Sequence, residues 1–144
     1  MTIAGFGRVI RAPGDRAGEG AVGGAATLAA ASAALAAHLR AAGAGPRTIA
    51  RAELLLEELA LNALRHGGVA EVALTARQEA TGWRLCLEDA GPPFDPSQPR
   101  PALPGVGEGR GGLGLALVQR TARALHYARL PEGRNRVEVL LPPE

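Results

Sequence analysis

The stretch from residue 47 to residue 66 is dominated by Leu and Ala, and no helix breaker interrupts it before Gly67-Gly68. It reads as a helix, opened by Pro46 in a position suited to a first helical turn. Within it Glu58 and Asn62 stand four residues apart, so they lie one above the other on one face, with His66 one further step along. Leucine and alanine crowd around them. Burying an Asn amide is costly unless its polar atoms are satisfied, and a neighbouring carboxylate raises that cost. A bound cation carrying a phosphate ligand resolves both.

At 144 residues the chain fits a single domain, 1–144, able to bury a substantial core. Aromatics make up only 3% of it, so Ala, Leu and Val must fill that core. No apolar run approaches the roughly 20 residues of a membrane span, and the N-terminus lacks a charged-then-apolar leader pattern. Cys86 is alone, which excludes an internal disulfide. These features lead to the expectation of a soluble protein in a reducing, cytoplasmic setting, without a membrane partner. The net charge is +2, with basic residues scattered rather than arranged as a stripe for a nucleic-acid backbone. Every basic side chain among the 16 Lys and Arg positions is Arg, so a GxxxxGK[ST] phosphate loop is excluded. Nucleotide phosphates would have to meet backbone N–H groups, a metal or Arg.

Residues 3–10 read as a weak strand and 11–24 as a glycine-rich loop. Residues 25–42 form an alanine-dense helix stopped by Gly43-Ala44-Gly45-Pro46. After the second helix, 69–77 and 83–88 read as a hairpin turning at Thr81-Gly82, with Trp83, Leu85 and Leu87 alternating against Arg84, Cys86 and Glu88. Trp83 and Cys86 read as packing residues. Residues 89–109 are loop, 112–125 a third helix, and 126–130 and 136–141 two closing strands. Helices alternating with antiparallel hairpins predict an α/β fold, a two-layer sandwich with a mixed, mostly antiparallel sheet and three main helices on one face.

Two further segments join the Glu58–Asn62 face. Glu88-Asp89-Ala90-Gly91-Pro92-Pro93-Phe94-Asp95 follows a strand directly, which sets the Asp89 carboxylate at the strand end, and Gly91 leaves the backbone open to close approach. Gly109-Arg110-Gly111-Gly112-Leu113-Gly114-Leu115 leads into a helix, and its N–H groups make a seat for phosphate. Each feature has an ordinary reading by itself: a solvated helix flank for Asn62, a turn for Asp89-Ala90-Gly91, a linker for the glycines, and a helix-end cation for His66.

Taken together and in this order, they resemble the N, G1 and G2 boxes of the GHKL family of ATPases and kinases: Glu58-x-x-x-Asn62, Asp89-x-Gly91 and Gly112-x-Gly114. The resemblance covers roughly residues 47 to 141. Within the family, the isolated nucleotide domain, the short segment between the second and third boxes and the run Gly91-Pro92-Pro93-Phe94-Asp95-Pro96 are most similar to the anti-sigma-factor serine/threonine kinases.

The resemblance implies ATP and Mg²⁺ as cofactors. It implies that Asn62 coordinates the Mg²⁺ that holds the triphosphate, and that Glu58 is the general base. By the same resemblance Asp89 accepts from the adenine N6 amine, where guanine presents a carbonyl. Gly91 admits the base, and Arg110, Gly111, Gly112, Leu113, Gly114 and Leu115 surround the phosphates, with His66 near the pocket. It further implies transfer of the γ-phosphate to a serine of an anti-sigma-antagonist (STAS-type) protein, sequestration of a sigma factor, and a homodimer, since related kinases dimerise. The chain departs from the family pattern at Arg134-Asn135-Arg136, where relatives carry Thr; at Arg110, where they often carry Gly; and in the glycine-rich 11–24 segment. A non-catalytic nucleotide-sensing module and a detached histidine-kinase-type catalytic domain are the alternatives.

Overall fold

The computed structural model describes residues 5–12, 25–98, 111–142 and 144. Alternating burial builds the strands. In β3 (Glu71–Glu79) Val72, Leu74 and Ala76 turn inward, in β4 (Gly82–Asp89) Trp83, Leu85 and Leu87, and in β6 (Arg134–Leu140) Asn135, Val137 and Val139. β1 (Phe6–Arg11) contributes Phe6 and Ile10. With β2 (Ala25–Ala26) and β5 (Ala124–Leu130) they form one sheet in the order β2-β1-β3-β4-β6-β5. Every neighbouring pair is antiparallel except β1 with β2.

Three helices cover the apolar face. Helix α1 (Leu28–Ala41) starts at Thr27, whose hydroxyl accepts from the Ala30 N–H at 3.1 Å. Helix α2 (Pro46–Leu61) opens with Pro46 behind Gly45, a position with no capping side chain of its own. Glu144 supplies the missing cap. Its carboxylate accepts from the Arg47 N–H at 3.3 Å, the Thr48 N–H at 3.0 Å and the Thr48 hydroxyl at 2.8 Å. Those bonds, the Thr48 hydroxyl first, hold the Glu144 carboxyl below its ordinary range. Helix α3 (Gly111–Thr121) packs on α2. Leu35, Leu39, Leu55, Leu56, Leu115 and Val118 meet the inward strand residues in one core.

The opposite sheet face is polar. Arg84 bonds Glu79 at 2.6 Å and Glu138 at 2.9 Å across it, which lowers the Glu79 pKa and raises that of Arg84. The expected two-layer α/β fold, with its mostly antiparallel sheet and helices on one side, is therefore present.

Several boundaries differ from the sequence reading. The alanine-dense segment begins as strand β2, and its helix starts at Leu28. Backbone pairing of Val9 with Ala25 and Ile10 with Ala26 overrides the helical propensity of alanine there. The second helix is α-helical only to Leu61, and Asn62–His66 form a π-helical turn closed by the Gly67 N–H donating to the Asn62 carbonyl at 3.2 Å. The following strand begins at Glu71 and runs to Glu79. The third helix stops at Thr121, because Ala124 and Leu125 pair with Leu140 and Val139 in β5. Cys86 is half-buried on the polar face rather than in the core. Burial, reinforced by Glu88 and Glu138, pushes its thiol pKa up. Trp83 does pack, edge-on to His38 with ring centroids 5.8 Å apart.

Candidate functional site

The end of α2 and the ends of β3, β4 and β6 line a small open cleft of about 120 Å³. Its floor is apolar, with Val72, Leu87 and Val137. Pro92, Pro93 and Phe94 form one wall, and Asn62, Asp89 and Asn135 bring polar groups to it. An apolar cleft with a few convergent polar groups suits a planar heterocycle with a polar edge.

Asp89 is the last residue of β4, as its place after the alternating run implied. Its Oδ1 accepts from the Gly91 N–H at 2.8 Å, which folds the chain back in an Asx-type turn. The same oxygen accepts from Asn135 Nδ2 at 3.0 Å. Gly91 has no room for a side chain. A Cβ there would lie 2.7 Å from Val69 Cγ1 and 3.0 Å from Asp89 Oδ1. Its missing side chain accommodates this turn, where the sequence reading had assigned the space to a ligand.

Asn135 is the residue whose weight the sequence understated. It is 4% exposed and fully bonded. Its Nδ2 donates to Asp89 Oδ1 and to the Pro92 carbonyl at 2.9 Å, and its Oδ1 accepts from Tyr127 OH at 2.6 Å and Arg129 Nη1 at 3.0 Å. The only trace of this in the sequence was its place where related kinases carry Thr.

Asn62 opens the π-helical turn and lines the cleft, half-buried. Among the described residues its side-chain amide makes no hydrogen bond, so its oxygen is available. A π-turn inside an α-helix commonly marks a functional position, because it redirects side chains from the α-helical ladder. Here the α register that would carry the Glu58–Asn62 face on to His66 ends at Asn62.

Glu58, one turn earlier, is not part of the cleft lining. Its carboxylate lies against Gly114 in the first half of α3, where a Cβ would collide with Glu58 Oε2 and sit 2.9 Å from its Cδ. The structure thus joins the first and third sequence boxes. Leu115 is 2% exposed and its side chain belongs to the core, away from any ligand. Gly111, Gly112 and Leu113 form the first turn of α3, where backbone N–H groups are free of intrahelical partners. His66 ends the π-turn, and Arg110 lies outside the described residues.

These residues fit a magnesium nucleotide. Asn62, its amide without a partner among the described residues, and Asp89 line the cleft, while the first half of α3 lies beside Glu58. Among the described residues no three His, Cys, Asp or Glu side chains gather into a cation site.

Residues 24–140 match the family described as the histidine kinase-like ATPase domain. The chain belongs to that family. No curated protein sequence matches this ATPase domain. Among solved structures it is similar to a chain of the SiaB–SiaC complex from Pseudomonas aeruginosa, with a TM-score of 0.51 at 19% identity, covering 79% of this chain and 82% of that one. At that identity the likeness is one of fold. Among the described residues no helix is long and apolar enough to cross a membrane.

Proposed function

We propose that this ATPase domain is a regulatory protein serine/threonine kinase that binds Mg²⁺–ATP in the cleft and phosphorylates a serine of an anti-sigma-antagonist (STAS-type) protein, freeing itself to hold a sigma factor. The observation that carries the reading is that Asn62 and Asp89, 27 positions apart in sequence, line one cleft. Membership of an ATPase family supports the nucleotide, and the two-protein complex that contains the solved neighbour supports a protein partner.

Bound Mg²⁺–ATP supplies the transferable phosphoryl group and neutralises charge on it. The chain's own residues hold and orient. Asn62 offers its amide oxygen to the cation. Asp89 offers an acceptor to the exocyclic amine of adenine, and the apolar floor takes the ring. The backbone N–H groups at the start of α3 would take the anionic phosphate oxygens. Glu58, held beside that helix start, takes the proton of the attacking serine hydroxyl onto its carboxylate as the serine oxygen bonds to phosphorus and the bond to the departing ADP oxygen breaks.

The test is incubation of the chain with labelled ATP, Mg²⁺ and candidate antagonist proteins. Acid-stable label on a serine is the expected result; no transfer to any partner, or acid-labile label on histidine, overturns it. A second reading, a nucleotide sensor without catalysis, is favoured by the position of Glu58 off the cleft lining. It is excluded if Glu58→Ala abolishes transfer and signalling while ATP affinity stays intact.

A further inference from the structure

Asp89, Asn135 and Arg129 form a row across three strands. Asp89 is paired with Asn135 between β4 and β6, and Asn135 with Arg129 between β6 and β5. Paired positions project to the same side of a sheet, so the three side chains meet. A guanidinium has only donors, and an ionised carboxylate has only acceptors. Between them an amide has one workable orientation. The Asn135 carbonyl faces Arg129 Nη1 and Tyr127 OH, and its NH₂ faces Asp89. Arg129 Nη1 also donates to the Gly91 carbonyl at 2.7 Å, which fastens the turn to the same row.

The consequence falls on the lone pairs of Asp89. Each carboxylate oxygen accepts about two hydrogen bonds. Oδ1 already takes two, from the Gly91 N–H at 2.8 Å and from Asn135 Nδ2 at 3.0 Å. Among the described residues no donor reaches Oδ2. Asp89 therefore meets a ligand with one oxygen. The purines differ in what they ask of it. Adenine offers a single exocyclic amine on its pairing edge. Guanine offers a ring N–H and an exocyclic amine side by side, which a carboxylate with both oxygens free accepts as a pair.

We propose that Asn135, fixed in orientation by Arg129 and Tyr127, is a specificity-determining residue that fills Asp89 Oδ1 and so denies guanine its two-point contact. The residue acts through Asp89: it lines the cleft, but its amide atoms are bonded within the protein. The inference rests on the reading of Asp89 as the base anchor, and it assigns the choice of nucleotide to the β5–β6 pair as well as to the carboxylate.

The experiment is calorimetric titration of the full chain with Mg²⁺–ATP and Mg²⁺–GTP, for wild type, Asn135→Ala and Asn135→Leu. Asn135→Ala frees one lone pair on Oδ1, and the ATP-to-GTP affinity ratio is expected to fall by about tenfold, the worth of one hydrogen bond to a charged group. Asn135→Leu keeps the volume of the amide but has no donor, and shifts the ratio in the same direction. If Asn135→Ala does not fold, Asn135→Leu decides alone. A purely structural role would weaken both nucleotides equally, and an unchanged ratio overturns the inference while leaving the ATP site standing. Failure of wild type to bind either nucleotide overturns both.

Discussion

The carboxylate of Glu58 rests on Gly114, so α2 and α3 meet at the one point where a base and a phosphate seat would have to adjoin. Any side chain at position 114 would strike the far end of a flexible Glu side chain, which can swing away. Gly114→Ala should therefore cost little stability, within about 1 kcal/mol, since the gain in helix propensity offsets the displacement. It should still cut phosphoryl transfer by about 100-fold, the effect of moving a reacting group off its position. Urea unfolding and a transfer assay on the same sample check both halves. A large stability loss would show that Glu58 cannot move.

Glu58→Gln keeps the shape and removes the proton acceptor. Transfer should fall by about 10²–10⁴-fold, with ATP affinity unchanged because Glu58 lies outside the cleft lining. Single-turnover kinetics alongside calorimetry separate the two quantities. Loss of affinity equal to loss of rate would place Glu58 in ground-state binding.

Asp89→Asn leaves one side-chain oxygen where the carboxylate had two, and that oxygen stays with the Gly91 N–H and Asn135 Nδ2, which share Oδ1 already. The remaining atom facing the ligand becomes a donor, like the adenine amine it would have to meet. ATP affinity should drop by at least about tenfold, in line with the loss of a hydrogen bond to a charged group. Titration at fixed Mg²⁺ measures this, and an unchanged affinity would remove Asp89 from the site.

The Glu144 cap gives stability a dependence on acid. Its folded pKa is depressed, so its contribution is present above the unfolded glutamate value of about 4.3 and is lost as pH falls through the lower folded value. Glu144→Gln should flatten that part of the acid limb in thermal melts recorded below about pH 5. An acid limb unchanged by the substitution would show that the cap does not form in solution.

The parts of the fold legible in the sequence were those written in local pattern. The alternation of Trp83, Leu85 and Leu87 fixed the inner face of β4 and put Asp89 at its end. The leucines of α2 fixed its buried stripe. The errors lie where distant pairing or backbone geometry decides. Ala122, Ala124 and Leu125 are good helix formers, yet Leu125 is drawn into β5 by Val139. The π-turn at Asn62 is a change of backbone hydrogen-bond register that no residue type announces. Glu144 caps a helix whose Thr48 is 96 positions away in sequence. At the site, Asn62, Asp89 and Gly114 were legible as spaced boxes. The Asn135–Tyr127–Arg129 network was not, because its three members sit on two strands and meet only once β5 and β6 are in register.

The most direct measurement is a titration of the full chain with ATP, in the presence and absence of Mg²⁺, followed by heat and by thermal unfolding. One site is expected, with Mg²⁺-dependent affinity that Asn62→Ala abolishes. At a ligand concentration about 100 times the dissociation constant, the fold should gain about 2.7 kcal/mol. The absence of both heat and a shift in unfolding temperature with Mg²⁺–ATP would contradict a cleft built by Asn62 and Asp89 to hold a nucleotide.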